Sequence, residues 1–238
     1  MESLRTQLFD IFERQWEVTT KSHLADCTDW TECYNHWIDL MKAILETVPR
    51  EIALNSLTAF RFLEINRDIL WSLFATMVGA YQSAIRELRF WLEAFLQAYL
   101  VDRRGGISRL SSKVEKLNGN RLIIQCGFGE NQETYMKTLY ADLCKYVHPT
   151  KRELNFENPD PRVTFSYDEA SFDLVHRLHR SVFDAILFLV MSTFPDAATN
   201  YMSRPLVIDS LKKMRFDLSI AFLHEAQAGL GRASLPSP

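Results

Sequence analysis

The chain has 238 residues, of which 47% are hydrophobic and 24% are charged, and its formal net charge is −3. These proportions are those of an ordinary folded protein, and they exclude bulk disorder. The small net charge excludes a strong overall attraction to nucleic acid or to acidic membranes, but it leaves room for a local basic patch. Because only 8 Gly and 8 Pro stand against 16 Phe and 5 Trp, the composition favours an all-α fold of packed helices.

The sequence carries no recognisable secretory signal or membrane span. Its first residues mix acidic with apolar side chains and lack the apolar core of a signal peptide. The longest apolar stretch, residues 69–85, contains several polar residues, and a membrane span needs about 20 predominantly apolar ones. The four cysteines form no CxxC pair and are interpreted as reduced, packed thiols. We therefore expect a soluble cytoplasmic protein that makes no membrane contact.

Apolar spacing in the first 65 residues predicts three helices. The first covers about residues 2–24. The second follows the candidate caps Asp26 and Asp29 and ends at Pro49, because a proline steers the residue before it out of the helical region. The third covers about residues 50–64.

The dominant predicted element is one long apolar helix from about Asn66 to Val101. Its apolar residues recur every three or four positions and cover most of its circumference, which is typical of a helix inside a bundle. Unbroken, it would be about 50 Å long, and Gly79 is the position best suited to a kink. In the second half the polar face narrows to a stripe that includes Arg86, Arg89 and Glu93.

The second half of the chain is predicted to add helices over residues 108–117, 131–147, 168–194 and 205–228. Residues 122–124 suit either a short strand or a helical end, and residues 151–167 are predicted to be mostly a loop. Pro195 is expected to end the helix before it.

These elements indicate a single helical domain over residues 1–228. The predicted domain consists of N-terminal helices in residues 1–65, a bundle core in 66–194 and a C-terminal helix in 205–228, and a disordered tail follows in 229–238.

Familiar catalytic and cofactor motifs are absent from the sequence. Gly127 and Gly129 form a GxG without a third glycine or a βαβ context, so no nucleotide cofactor is predicted. There is no GxSxG elbow for a nucleophilic serine. His176 and His179 stand three apart on one predicted helix, but no HExxH or Cys/His set joins them. They are interpreted as surface histidines, and no bound metal is predicted.

The stretch LYADLCKYVHPTKRE, residues 139–153, contains the strongest candidate for a site. A predicted helix ends at His148, with Lys145 three residues before it and Lys151 and Arg152 shortly after it. The helix dipole favours a protonated imidazole in the last turn. A histidine beside several cations can hold a phosphodiester and transfer protons. The alternative is that His148 only caps the helix and hydrogen-bonds across the bundle.

The helix YQSAIRELRFWLEAFLQAYLVD, followed after a variable middle by LYADLCKYVHPTKRE, resembles HEPN domains (higher eukaryote and prokaryote nucleotide-binding) over about residues 81–153. The likeness is to uncharacterised prokaryotic branches whose last motif is similar to Y-x-x-L-s-x-x-v-H-P. The resemblance implies an α-helical, HEPN-like core, here with extra N- and C-terminal helices. Members are often dimeric, and many are metal-independent ribonucleases in toxin–antitoxin, abortive-infection or CRISPR-linked defence.

The resemblance assigns roles to individual residues. His148 matches the catalytic histidine, and Lys145 is the cation closest before it. The expected substrate-binding residues are Arg86, Arg89, Glu93, Tyr146, Lys151 and Arg152. RNA is the implied partner and a homodimer the implied assembly, with no cofactor and no metal. Catalytic members carry an Arg five to seven positions before the histidine, where this chain has Leu143, Asp142 and Ala141.

The sequence thus leaves three functions open. One is a HEPN-like, RNA-directed protein, either a ribonuclease or an inactive relative. Another is a non-enzymatic helical interaction or dimerisation module, which the missing Arg and the absent cofactor motifs favour. A third is a bundle with a small-ligand pocket between its helices, for which no ligand is indicated.

Overall fold

A computed structural model describes residues 4–107, 117–147 and 167–227 of the chain. Over these ranges it contains twelve α-helices and no β-strand, which confirms the all-α prediction. The six helices of the first described range are α1 (Leu4–Ser22), α2 (Leu24–Thr47), α3 (Arg50–Asn55), α4 (Leu57–Glu64), α5 (Asn66–Met77) and α6 (Tyr81–Arg103). The later ones are α7 (Gly119–Cys126), α8 (Glu130–Val147), α9 (Glu169–Thr193), α10 (Pro195–Met202), α11 (Val207–Met214) and α12 (Asp217–Gln227).

The prediction of one helix over residues 50–64 is wrong, because the chain leaves the helical conformation at Ser56. Ser56 has extended backbone angles, and its Oγ accepts a hydrogen bond from the amide of Ala59 (3.1 Å). The carboxylate of Asp102, on α6, accepts the amides of Leu57 and Thr58 at 2.8 and 2.9 Å. These bonds satisfy amides that the first turn of a helix leaves without partners, and so a new helix begins here.

The prediction of one continuous helix from Asn66 to Val101 is also wrong, and the break falls at Gly79, the expected kink. Gly79 has φ +77°, in the left-handed region that favours glycine. The amide of Ala80 bonds to the carbonyl of Ala75 (2.7 Å), which closes a wider turn than that of an α-helix. As a result α5 ends at Met77 and α6 starts in a new direction at Tyr81.

In the C-terminal half, α9 matches the predicted helix 168–194 closely, but Pro195 both follows it and opens α10. The predicted helix 205–228 is wrong as a single element, because Arg215 takes a left-handed conformation (φ +56°) between α11 and α12. Residues 122–124 are helical, as part of α7. The predicted helix 108–117, the loop 151–167 and the tail 229–238 lie outside the described residues, apart from positions 117 and 167.

No single helix within the described ranges has both the length and the apolar character that a membrane span needs. The helices α9 and α10 reach the required length and apolar character only when they are taken together, and the chain bends by 118° between the two.

The core is built around α6 and α9, which bury residues on most of their faces. Trp37 of α2 joins them to the N-terminal helices. Its ring stacks on Phe62 of α4 at 3.8 Å between centroids and meets the edges of Phe95 on α6 and Phe183 on α9. Large aromatic groups in such arrangements contribute much of the burial energy of a core. Four helices are therefore fixed to one another around a single indole.

A buried carboxylate holds α12 to α9. Asp184 is only 1% exposed, and its two oxygens each accept a backbone amide at 2.9 Å, from Leu218 and from Ser219. Both amides belong to the first turn of α12, where no helical partner exists. Burial nevertheless raises the pKa of Asp184 to about 6.

We expect Asp184→Ala to lower the free energy of unfolding by about 3 kcal/mol, because it leaves two buried amides without an acceptor. Asp196→Ala, which removes an exposed carboxylate from the first turn of α10, should cost no more than about 0.5 kcal/mol. Urea denaturation followed by circular dichroism measures both. Equal losses in the two variants would contradict the assigned role of Asp184.

His36 joins α2 to α10 and α11 in a similar way. In the buried ring, Nδ1 lies 2.7 Å from the Tyr201 hydroxyl and Nε2 lies 2.8 Å from Ser210 Oγ, so each nitrogen has a hydrogen-bond partner. Burial lowers the pKa of His36. The unfolded chain therefore binds a proton at His36 more readily than the folded one.

It follows that the stability of the protein falls as the pH drops below about 6.5, the ordinary pKa of histidine. His36 contributes at most about 1.4 kcal/mol per pH unit to this loss of stability. When the pH is lowered from about 7.5 to about 5.5, we expect the free energy of unfolding of His36→Gln to fall less than that of the wild type. Denaturant titrations of both proteins at the two pH values measure the difference. Identical pH dependence in the two proteins would show that His36 does not contribute.

Candidate functional site

The helices that carry the family resemblance, α6 and α8, pack against each other and run in opposite directions. Glu93, in the middle of α6, meets Tyr140 of α8. Nearer the end of α8, Lys145 and Tyr146 lie beside Gln82, at the start of α6. The polar stripe of α6 and the last turns of α8 are thus on the same side of the bundle.

The middle of this contact is a closed polar cluster. Tyr140 donates its hydroxyl proton to Glu93 Oε1 (2.7 Å), and Arg89 donates to the Tyr140 oxygen (3.1 Å) and lies 3.5 Å from Glu93. The Arg89 guanidinium also lies 5.4 Å from the centre of the Tyr140 ring. Burial and the Glu93 carboxylate raise the pKa of Tyr140, so the phenol stays protonated. The charges of Arg89 and Glu93 therefore neutralise each other, and the pair stabilises the contact between α6 and α8.

The other predicted binding residues are spread out. Arg86 is exposed on α6, and Lys145 is exposed and paired with Asp142 (2.6 Å). Lys145 and Tyr146 line a small cavity of about 150 Å³ between α6, α8 and α9. Three predicted site residues lie outside the described ranges, namely His148, Lys151 and Arg152.

The interpretation of His176 and His179 as surface residues is wrong, because 5% of the first and none of the second is exposed. The helix α9 is buried around most of its circumference, and both histidines lie on its buried part, where they meet other helices. His179 Nε2 lies 3.0 Å from Ser72 Oγ on α5, and burial lowers the pKa of His179 to about 3. The Trp30 ring packs against both histidines.

His176 points instead at two carboxylates of α2. Its Nδ1 lies 3.2 Å from Asp26 Oδ1, and its Nε2, which has no hydrogen-bond partner, lies 3.8 Å from Asp29 Oδ2. His23 donates from Nδ1 to the other Asp26 oxygen (2.9 Å), and its Nε2 hydrogen-bonds with the Tyr167 hydroxyl (2.8 Å). Within the described part of the chain, Asp26, Asp29 and His176 form a group whose donor atoms, one each, lie within 4.8 Å of one another. We call these three residues the Asp–His cluster.

A solvent-open cavity of about 430 Å³ lies beside the Asp–His cluster. It is lined by Asp26, Ala170, Asp173, His176, Arg177 and Arg180. Burial lowers the pKa of His176, so its ring is neutral near pH 7 and can offer a lone pair. A neutral imidazole with carboxylates is a donor set that suits divalent transition metals.

Sequence reasoning missed the Asp–His cluster for two reasons. The interpretation of Asp26 and Asp29 as caps is wrong, since α2 begins at Leu24 and both lie inside it. Their spacing of three does place them on one helix face, but their partner His176 belongs to a helix far along the chain. The one available signal was the pair of acidic residues at this spacing.

An apolar concavity lies between the end of α2, α3 and α4. We call this groove of about 520 Å³ the apolar groove, and it is lined by Met41, Ile44, Leu45, Val48, Arg50, Ala53, Leu54, Ala59, Phe60, Phe62 and Leu63. Four of these side chains are between 53% and 70% exposed, namely Leu45, Leu54, Phe60 and Leu63. The short helix α3 buries none of its residues. Its apolar side chains are thus not explained by the core.

Comparisons of the chain with protein-family models, with curated proteins and with solved structures find no match. The fold and its surface define the class, which is an all-α helical bundle with an exposed apolar groove and a separate polar cluster.

Proposed function

We propose that the protein is a non-enzymatic helical interaction module that forms a homodimer through the apolar groove. The observation that carries this proposal is the exposure of four large apolar side chains, Leu45, Leu54, Phe60 and Leu63, around one concavity. Burying such a side chain fully is worth about 1.5–3 kcal/mol. A large contiguous apolar patch on a protein surface often marks a site of contact with another molecule.

A second copy of the chain is the occupant that the groove fits best. A two-fold contact requires a surface that complements itself. Here the protruding Leu45 and Leu54 stand beside the small Ala53 and Ala59 in the lining of the same groove. Large residues of one copy can therefore fill the spaces beside small residues of the other.

The charges around the groove are also mixed, which suits a two-fold contact. Arg50 lines the groove and Glu51 is its exposed neighbour, while Arg61 and Glu64 on α4 form an ion pair at 3.0 Å. In a two-fold contact each positive group of one copy can face a negative group of the other. A strongly charged partner would instead call for a rim of one sign.

We expect light scattering to give the wild type about twice the 27.7 kDa mass of one chain. Phe60→Glu should give a single-chain mass, because a charge in the contact must be desolvated without a partner. Phe90→Glu is the matched control, since Phe90 on α6 is 52% exposed, almost as much as Phe60, and lies outside the groove. This variant should stay dimeric. A wild type that is monomeric at about 100 µM, well above the Kd range of stable dimers, would refute the proposal.

A second candidate is the HEPN-like, RNA-directed function that the sequence resemblance implies. The observation in its favour is that Lys145 and Tyr146 share a cavity with Gln82 where the end of α8 meets the start of α6. His148 follows directly in the sequence. The pairing of Arg89 with Glu93 and Tyr140 counts against a strong phosphate site on the α6 stripe, so this candidate depends on the α8 end.

If this second function holds, the purified protein binds or cuts a mixed-sequence RNA in the presence of a chelator. His148→Ala should then reduce the activity at least about 100-fold, the lower range of a lost general acid–base group. His224→Ala, which changes an exposed histidine of α12, should leave it intact. Gel-shift and cleavage assays with labelled RNA measure both effects. The same result for the wild type and for His148→Ala would remove this candidate.

A further inference from the structure

Several buried polar atoms of the described residues lack a hydrogen-bond partner, His179 Nδ1 and Thr58 Oγ1 among them, and in the Asp–His cluster such an atom lies close to a carboxylate. Asp184 has both its oxygens bonded, and His36 has both its nitrogens bonded. His176 is 5% exposed, yet its Nε2 has no hydrogen-bond partner and is directed at the Asp29 carboxylate from 3.8 Å. That separation is too long for a hydrogen bond. A buried ring nitrogen facing a carboxylate across such a gap requires an explanation.

We propose that Asp26, Asp29 and His176 bind a divalent transition-metal ion of the Zn²⁺ type. A four-coordinate ion at about 2.1 Å from each ligand holds neighbouring ligand atoms about 3.4 Å apart. The donor atoms of the three residues already lie within 4.8 Å of one another, so a small side-chain movement, chiefly of the half-buried Asp29, closes the site. The fourth position faces the adjacent cavity of about 430 Å³, from which a water molecule completes the shell.

His176 offers Nε2 to an ion, because this buried nitrogen has no hydrogen-bond partner. Its Nδ1 lies 3.2 Å from Asp26 Oδ1, so the Asp26 carboxylate stands beside the ring. A carboxylate beside a metal-binding histidine helps to orient the ring.

Asp26 is itself held in place. His23 donates to its Oδ2 (2.9 Å), and the His23 ring is fixed by the Tyr167 hydroxyl (2.8 Å) and by stacking on Phe172, with 3.7 Å between ring centres. An ordered second layer of this kind reduces the entropy lost when a ligand set closes on an ion.

The charges around the cluster also permit a cation. Asp26, Asp29 and Asp173 place three carboxylates near His176. Of the two arginines that line the cavity, Arg180 donates to the carbonyl of Met214 on α11. Because imidazole is a poor ligand for Mg²⁺ and Ca²⁺, which prefer oxygen, the donor set selects a transition metal.

The test is calorimetric titration of the full-length, metal-free chain with ZnCl₂, supported by thermal melting. The wild type should bind one Zn²⁺ per chain, and its melting temperature should rise with Zn²⁺ concentration. Asp29→Asn and His176→Gln should weaken binding at least about tenfold. The control is Asp39→Asn, which removes a half-buried aspartate from the same helix α2 and should bind Zn²⁺ as the wild type does. Mg²⁺ at the same concentration should leave all melting curves unchanged.

Circular dichroism without metal shows whether each variant is folded. If His176→Gln is not, Asp29→Asn decides, because Asp29 is only half-buried. Co²⁺ provides the second readout, since bound thiolates add a strong near-ultraviolet band that nitrogen and oxygen ligands lack. No Zn²⁺ binding by the wild type, unchanged binding by Asp29→Asn, or a thiolate band would each overturn the proposal. None of these outcomes bears on the dimer, which is measured separately by the mass of Phe60→Glu.

Discussion

The packing of α6 against α9 is the contact on which the rest of the structure depends. Both helices are buried on most of their faces, so the remaining helices cover their apolar sides and supply partners for their few polar groups. Asp102 of α6 binds the first amides of α4, Asp184 of α9 binds those of α12, and His179 meets Ser72 of α5. Apolar burial provides most of the free energy, while these polar contacts fix where each outer helix begins.

This division explains what could be predicted from the sequence. The all-α class, the end of α2 before Pro49 and the extent of α8 and α9 follow from local patterns in the sequence. The break at Gly79 was also foreseeable, because glycine is the residue suited to a left-handed turn. The break at Arg215 was not, since the helix that follows it is capped by Asp184, and at Ser56 the local serine cap acts together with Asp102. Those carboxylates come from distant parts of the chain, and no window of sequence contains both partners.

The same reasoning applies to function. The sequence drew attention to the end of α8 through a short motif, and the structure brings Lys145 and Tyr146 of that segment to α6. It also pairs Arg89 with Glu93, an i, i+4 ion pair that the spacing alone allowed. The Asp–His cluster and the apolar groove were beyond sequence reasoning. The Asp–His cluster depends on a contact between α2 and α9. The apolar groove depends on side chains that stay exposed although their helical spacing resembles that of core residues.

The order of the central helices along the chain has a consequence for biosynthesis. α6 ends at residue 103, whereas α9, which covers it, is complete only at residue 193. At ~5–20 residues per second, a ribosome takes roughly 5–18 s to add the 90 residues between them. During that interval the nascent chain has an apolar helix without its main partner, the kind of segment that molecular chaperones bind. Folding of the core is therefore expected to wait until α9 has been synthesised, and the chain is exposed to aggregation whenever translation slows between these two helices.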